Sequence, residues 1–355
     1  MSSRVPRVLL ITCLALIGSA TLLVAAEAAY RYRTARRHAR GVQVRYYRHA
    51  RLQRALVRDV DYDGVVHINR FGFRGPDFDS IKAPGTTRII LVGASTTFDP
   101  CALRDRETWG ARLEQSLREL APARKFEVIN AGVPGFPMLD QVIRLQTELY
   151  AFAPDVFVLY AGHGIVSAAD AGLAKAESTQ TPDAAPVSWP GEDWLRKHSR
   201  LYERLRSQAR TEAGKVALDH AQWARAIDNS ARDFERQLTN FTVIARSMGA
   251  KVVFAEVNRM TGERAPEQFS AAERTAWQMF GTPAEVIHAG YQRFDDVWQS
   301  VADRADATFI TAADMAITGA ENFCPGDPIH FNTAGSAAMG RRLAEQLLAR
   351  EVVTR

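Results

Sequence analysis

The sequence predicts an α/β protein. It would be a three-layer sandwich around a central parallel five-stranded sheet, preceded by one N-terminal transmembrane helix. Three observations lead there. Short, continuously apolar runs alternate with amphipathic helical stretches, the pattern of a parallel sheet covered on both faces. A long uncharged run lies near the N-terminus. Glycines, a serine, an aspartate and a histidine gather just after the apolar runs, at the strand ends where open α/β sheets bind ligands.

The uncharged run is Val8 to Ala26, with Arg4 and Arg7 before it. Its nineteen residues at ~1.5 Å rise span about 28 Å, close to the hydrocarbon core of a bilayer. Ala26-Glu27-Ala28 also fits an A-x-A cleavage site, so a cleaved signal peptide is the competing reading. The run exceeds the ~7–15 apolar residues of a signal sequence, and an arginine cluster would follow the cut directly. Both features favour an anchor over residues 1–29. Cys13 lies too early in the run for a lipoprotein cysteine.

Residues 30–58 form an arginine-rich juxtamembrane arm. Residues 31–58 hold ten arginines and no acidic residue. Such a strip suits anionic lipid or serves as a solvated spacer. It also argues for a cytoplasmic flank under the positive-inside rule, whereas the short N-terminal tail with two arginines argues the reverse. The whole chain of 355 residues carries 45 basic and 40 acidic residues, a net +5. Beyond residue 58 the balance inverts to 33 basic and 39 acidic. A nucleic-acid partner is therefore excluded, because nothing in the body extends the basic patch. At 46% hydrophobic and 24% charged, the chain is neither disordered, collagen-like nor a polytopic membrane protein.

The body, residues 59–355, reads as follows. Arg88–Val92 is a strand ending at Gly93. Glu107–Leu120 is a helix with Trp109, Leu113, Leu117 and Leu120 on one face. Phe126–Ile129 is a strand closed by Asn130-Ala131-Gly132. Leu139–Phe152 is helical, and Asp155–Tyr160 is a third strand. Residues 168–192, rich in Ala, Asp, Ser and Pro, form a surface insertion. Asp228–Met248 is a long helix and Lys251–Val257 a fourth strand. Tyr291–Ala305 is helical, Ala307–Ile310 is a fifth strand, and a last helix runs to Leu348 from an N-cap at Thr333.

The chemistry-bearing residues fall at strand ends. A serine hydroxyl needs a base to take its proton, and an imidazole serves if a carboxylate holds its other nitrogen. Ser95 follows the first strand. Asp327 and His330 lie three apart in a single loop after the fifth. Gly132 offers a backbone N–H that a substrate oxygen could approach. No Gly-Lys-Ser/Thr phosphate loop, no G-x-G-x-x-G and no H-E-x-x-H is present, so no cofactor and no metal is expected.

In order and spacing these segments resemble the SGNH (GDSL-type) hydrolases. The blocks are Gly93-Ala94-Ser95-Thr96-Thr97, Asn130-Ala131-Gly132, Gly162-His163-Gly164-Ile165 and Asp327-Pro328-Ile329-His330. The lead-in Asn69-Arg70-Phe71-Gly72-Phe73-Arg74-Gly75 and the segment Glu27–Arg31 look like membrane-anchored bacterial members. The resemblance covers about residues 60–350 and implies an SGNH-hydrolase, flavodoxin-like sheet. It implies Ser95 as nucleophile, His330 as base and Asp327 as its orienting carboxylate. The N–H groups of Ser95 and Gly132 would serve the oxyanion. The family's third oxyanion donor is a block-three asparagine, and this chain has Gly164 there. Its backbone N–H, or a side chain of His163, Asn258 or Asn130, would have to replace it; His163 and Asn258 are candidate substrate-binding residues.

The reaction implied is cleavage or transfer of a small acyl group, such as acetyl, on a saccharide or lipid. The alternative is a weak or inactive member that binds a glycan or acyl ligand. In this fold Cys101 and Cys324 belong to loops at one edge of the sheet, so they form a disulfide or remain two buried thiols. A disulfide, with the family's habit of working outside the inner membrane, favours a periplasmic catalytic domain on a single-pass anchor over a cytoplasmic-facing one. Oligomeric state is not legible.

Overall fold

The computed structural model describes residues 4–35, 44–161 apart from 48, 53 and 63, then 199, 201, 202, 205, 220–277 and 283–353. The insertion expected at 168–192 and the third block, Gly162 to Ile165, lie outside the described residues. The chain divides into two compact units.

One unit comprises residues 1–39 and 180–218. Its described part is chiefly α1 (Arg4–Ala35). Within it, Thr12–Tyr30 is a 19-residue stretch of mean hydropathy 1.7, long and apolar enough to cross a membrane. In the same unit the Glu27 carboxylate accepts hydrogen bonds from the Ser199 hydroxyl (2.8 Å) and the Leu201 N–H (3.0 Å).

The other unit comprises residues 40–179 and 219–355. Two short antiparallel pairs open it: β1 (Tyr46–Tyr47) with β2 (Ala55–Leu56), and β3 (Val60–Tyr62) with β4 (Val66–Ile68). The core strands are β5 (Thr86–Gly93), β6 (Lys125–Asn130), β7 (Val156–Tyr160), β8 (Lys251–Ala255) and β9 (Thr308–Ile310). They are all parallel, in the order β6-β5-β7-β8-β9. Renumbered from β5 this is 2-1-3-4-5, the flavodoxin-like order, in which the crevice opens where the order reverses, beside the first strand's end.

Pleating sorts the side chains of β5 to both faces. Ile89 and Leu91 join α3 (Trp109–Leu120) and α9 (Thr333–Ala349) through Trp109, Leu113, Leu117, Met339 and Leu343. Ile90 and Val92 join α4 (Met138–Thr147), α5 (His220–Ser247) and α7 (Ala284–Ala305) through Val142, Leu145, Phe241 and Trp298. Among the described residues the remaining α-helices are short: α2 (Ser95–Phe98), α6 (Ala271–Trp277) and α8 (Ala312–Met315). The three layers are those the apolar runs predict.

Several boundaries differ from expectation for local reasons. The helix expected over 139–152 breaks at Glu148, and Leu149–Phe152 tightens to a 3₁₀ turn ending on Ala153 at φ 47°. Ala153 precedes Pro154, which disfavours α-helical geometry at that position. The N-cap of α9 is Asn332, not Thr333. Its Oδ1 accepts from the N–H groups of Ala334 (2.9 Å) and Gly335 (3.0 Å), and asparagine is among the strongest caps. Both α5 and α7 begin several residues earlier than their apolar patterns suggest. The second half of the arginine arm is not a solvated spacer: Leu52 and Leu56 are buried with Val66, Ile68, Phe98, Val133 and Phe136. Period-based reading missed them because arginines surround each one.

Candidate active site

Ser95 is the first residue of α2, immediately past the β5 end. Its hydroxyl lies 2.8 Å from His330 Nε2, a contact spanning 235 positions of sequence. His330 Nδ1 lies 2.6 Å from Asp327 Oδ2. Three side chains from two distant loops thus form one hydrogen-bonded chain. Which nitrogen carries the proton follows from chemistry: the carboxylate can only accept, so Nδ1 donates to Asp327 and Nε2 is left as the acceptor for the serine hydroxyl.

The spacing of Asp327 and His330 has a local explanation. Asp327 Oδ1 accepts the backbone N–H groups of Ile329 and His330, both at 3.0 Å. That Asx-type closure leaves Oδ2 for the imidazole. The loop is closed at its base by Cys324 N–H to His330 O and Asp327 N–H to Cys324 O, each 2.9 Å. From the neighbouring β8 loop, Met260 N–H reaches Pro328 O at 2.8 Å. Burial pushes the Asp327 carboxyl upward. Hydrogen bonding and charge from His330, with the two backbone N–H groups, outweigh it and hold the group below its ordinary value. Asp327 is therefore ionised at neutral pH, as an orienting carboxylate must be.

The helix carrying Ser95 is held through its carbonyls. Ser95 O accepts from Asp99 N–H (2.8 Å), Thr96 O from the Trp109 indole N–H (2.9 Å), and Thr97 O from Asn130 Nδ2 (2.9 Å). The Thr97 hydroxyl donates to Tyr160 O at 2.6 Å. Asp99 ends the helix at φ 63°. Its buried Oδ2 accepts from Trp109 N–H (2.9 Å) and the Ser336 hydroxyl (2.7 Å). Burial drives its carboxyl up to about 6, against the Ser336 hydrogen bond and the Arg74 charge. Sequence reading missed Arg74, Asp99, Trp109 and Ser336. The sequence marks Arg74 only within the lead-in Asn69–Gly75 and Trp109 only as a position on an apolar helix face, and nothing local singles out Asp99 or Ser336.

Gly132 has a steric role that the sequence does not reveal. A Cβ there would overlap Phe98 N and the Thr97 carbonyl carbon, so glycine is required for β6 to approach the helix that carries Ser95. Its N–H donates to Asn130 Oδ1 at 3.0 Å and is not held open for a substrate. Asn130 thus bridges the two blocks, one end of its amide on Thr97 and the other on Gly132. The Ser95 N–H stands at the first helical position, where no intrahelical acceptor exists. Asn258 is corrected as a substrate contact. It is 1% exposed, its Nδ2 donates to Ala312 O at 3.1 Å and its N–H to the Tyr160 hydroxyl at 3.1 Å. It is a core residue of the β8 loop. His163 and Gly164 lie outside the described residues.

Cys101 and Cys324 are joined as a disulfide, with Cα atoms 6.5 Å apart. One follows the Ser95 helix and the other opens the Asp327–His330 loop. Among the described residues, no group of His, Cys, Asp and Glu is arranged to hold a metal ion.

Behind the histidine loop lies an ionic cluster in which two carboxylates share one guanidinium. Arg259 donates to Asp295 (3.0 Å) and Glu256 (3.2 Å) and stacks over the Tyr291 ring. Burial, with the nearby Glu256 charge, raises Asp295 to about 7 despite Arg259. A raised acid binds its proton in the folded state where the unfolded chain has lost it, so stability falls as pH rises from the usual carboxylate range to about 7. Asp295→Asn should flatten that slope, giving a variant that loses less stability than wild type between pH 5 and pH 8. Denaturant titrations at the two pH values check this; an unchanged slope would place the titration elsewhere.

No protein-family model matches the sequence, and no curated protein does. Solved structures similar to the chain include TesA, at 14% identity and TM-score 0.44 over 75% of this chain and 100% of that one. The acetyl xylan esterase AlAXEase matches at 13% identity and TM-score 0.44, over 74% and 100%. A protein of the G-D-S-L family from Desulfitobacterium hafniense DCB-2 matches at 12% and 0.41, over 73% and 98%. At such identities and scores the chemistry of this chain must stand on its own geometry.

Proposed function

We propose that the chain is an SGNH-type serine esterase or acyl-transfer enzyme acting on an O-acyl group, such as acetyl, of a saccharide or lipid. One observation carries this reading: the Ser95–His330–Asp327 hydrogen-bond chain, 2.8 and 2.6 Å, at the end of β5. In the proposed reaction Ser95 Oγ attacks the ester carbonyl while His330 Nε2 takes its proton. Asp327 stabilises the imidazolium that forms. The carbonyl oxygen becomes an oxyanion, met by the Ser95 N–H. The Gly132 N–H joins once the oxyanion displaces Asn130 Oδ1. The ester C–O bond then breaks, and His330 returns the proton to the leaving alcohol. Water or an acceptor hydroxyl next attacks the acyl-serine, giving up its proton to His330; the bond between the acyl carbon and Ser95 Oγ breaks, and His330 returns that proton to Oγ.

A second reading has a specific observation in its favour. The Gly132 N–H is already engaged, and Gly164 stands where the resembled family has a donor side chain. Each missing oxyanion donor costs on the order of 10²- to 10³-fold in rate, so a slow enzyme or a binding protein on the same framework is the alternative. For location, we place the catalytic unit in the periplasm on a single-pass anchor. The apolar stretch Thr12–Tyr30 and the Cys101–Cys324 disulfide, which suits an oxidising compartment, support this.

The test is hydrolysis of p-nitrophenyl acetate by the full chain in detergent, with labelling by a serine-reactive phosphonate. Turnover and a single adduct mapped to Ser95 are expected. A phosphonate adduct without turnover would select the slow or binding reading; no adduct on Ser95 would remove the nucleophile assignment.

A further inference from the structure

Resting on Ser95 as the nucleophile, we propose that Arg74 is a positioning residue for it, clamping the end of the nucleophile helix through three backbone carbonyls. The Arg74 side chain is fully buried, 0% exposed. Nη1 donates to Phe98 O (3.1 Å) and Asp99 O (2.7 Å), and Nη2 to Ala102 O (2.6 Å). Nε donates to Asp105 Oδ1 at 2.9 Å. The guanidinium carbon also sits 4.9 Å from the Phe98 ring centroid.

One of these acceptors, Phe98 O, is the last carbonyl of α2, and the other two lie in the turn that follows it. A helix leaves its last carbonyls without partners, and a four-residue helix is nearly all end. Asp99 turns the chain at φ 63°, its carbonyl accepts the Ala102 N–H at 3.1 Å, and Asp99 O and Ala102 O both belong to the turn around Cys101. Arg74 gathers these carbonyls on one rigid, planar fork, a task for which lysine's single ammonium lacks the geometry.

The clamp has a fixed base. Arg74 N–H donates to Asn130 O at 3.2 Å, which ties its backbone to the β6 end. Asn69, five residues earlier, holds the preceding turn: its Oδ1 accepts from Phe71 and Phe73 N–H, each 3.0 Å. Asp105 in turn accepts from His67 N–H at 2.8 Å. The lead-in from Asn69 to Gly75 therefore aims one guanidinium at the loop behind the nucleophile. It touches neither Ser95 Oγ nor His330, so its effect on chemistry passes through the position of α2.

The expected signature is a loss of rate without a loss of proton chemistry. In Arg74→Lys the rate constant for phosphonate attack at Ser95 should fall by ~10²-fold, the scale of an ångström-sized misplacement. Ester kcat should fall with it while KM holds. The pH dependence of labelling should keep the wild-type midpoints, because lysine keeps a positive charge beside Asp99 and leaves Asp327 and His330 untouched. Arg74→Gln should be slower still, and Arg74→Ala should recover rate on addition of guanidinium ion at non-denaturing concentration.

Asp105→Asn separates clamping from general loosening. It removes the ion pair yet leaves the three carbonyl bonds, so it should lower the melting temperature while labelling stays near the wild-type rate. Three results would overturn the clamp while leaving the nucleophile standing: wild-type labelling in folded Arg74→Lys, a loss confined to KM, or equal slowing in Asp105→Asn. Absence of any wild-type label on Ser95 would instead strike the proposed function, and the clamp with it.

Discussion

Ser95→Ala should remove essentially all ester turnover, and His330→Ala should cost about the same factor, on the order of 10⁶-fold where the uncatalysed background permits it. The double variant should be no slower than either single one. That non-additivity follows from the geometry. His330 Nε2 does its work only through the Ser95 hydroxyl 2.8 Å away, so removing either atom ends the same proton transfer. Asp327→Asn should cost less, about 10⁴-fold, because the imidazole remains but loses its fixed tautomer. The Asx closure adds a second cost at this position. Oδ1 holds two backbone N–H groups, so asparagine must place its oxygen either there or on the imidazole. Initial rates with p-nitrophenyl acetate, with folding checked by circular dichroism, decide it. Additive losses in the double variant would mean that Ser95 and His330 act independently, and the triad assignment would fall.

The approach of Ser95, His330 and Asp327 to one another was legible in the sequence because the three lie at strand ends, in the order and spacing of the SGNH blocks they resemble. Ser95 follows a continuous apolar strand, and Asp327 and His330 sit at the i, i+3 spacing of a closed loop. The inner sheet was legible too: β5, β7 and β8 read as apolar runs because both of their faces are buried, whereas the edge strand β6 keeps Lys125 exposed and Glu127 and Val128 half-exposed. What stayed hidden was whatever depends on partners far apart in the chain. Arg74 looks like one more arginine until Phe98, Asp99 and Ala102 are seen around it. Gly132 reads in sequence only as a free N–H, and in the resting structure more is asked of it. Its smallness is consumed by contact with Thr97 and Phe98, and its N–H by a side chain two residues earlier. Asn258 follows a strand as the site residues do, yet its amide turns inward to Ala312. Position at a strand end places a residue near the crevice; only tertiary contacts decide whether its side chain faces it.

Reducing the Cys101–Cys324 disulfide should lower both stability and turnover, and the two effects have different origins. The bridge closes a span of 223 positions. In the chain-entropy account, a loop of that length restricts the unfolded ensemble by about 5 kcal/mol, a large share of the ~5–15 kcal/mol that holds a typical domain folded. The loss of turnover comes from position. Cys101 lies in the turn that ends the Ser95 helix, and Cys324 opens the loop closed by His330 O. The bond therefore joins the two segments whose separation sets the distance from Ser95 Oγ to His330 Nε2. Cys101→Ser/Cys324→Ser should melt well below wild type, and at a temperature where both are folded its kcat should fall more than its KM rises. Alkylation of the native chain, with and without reductant, followed by mass spectrometry, should find both thiols blocked until reduction. A double variant with wild-type melting and kcat would show that the loops hold their places without the bond. Freely alkylated thiols, together with an activity reporter after Arg355 that works only in the cytoplasm, would overturn the bridge and the periplasmic placement together, leaving the arginine arm as the true guide to orientation.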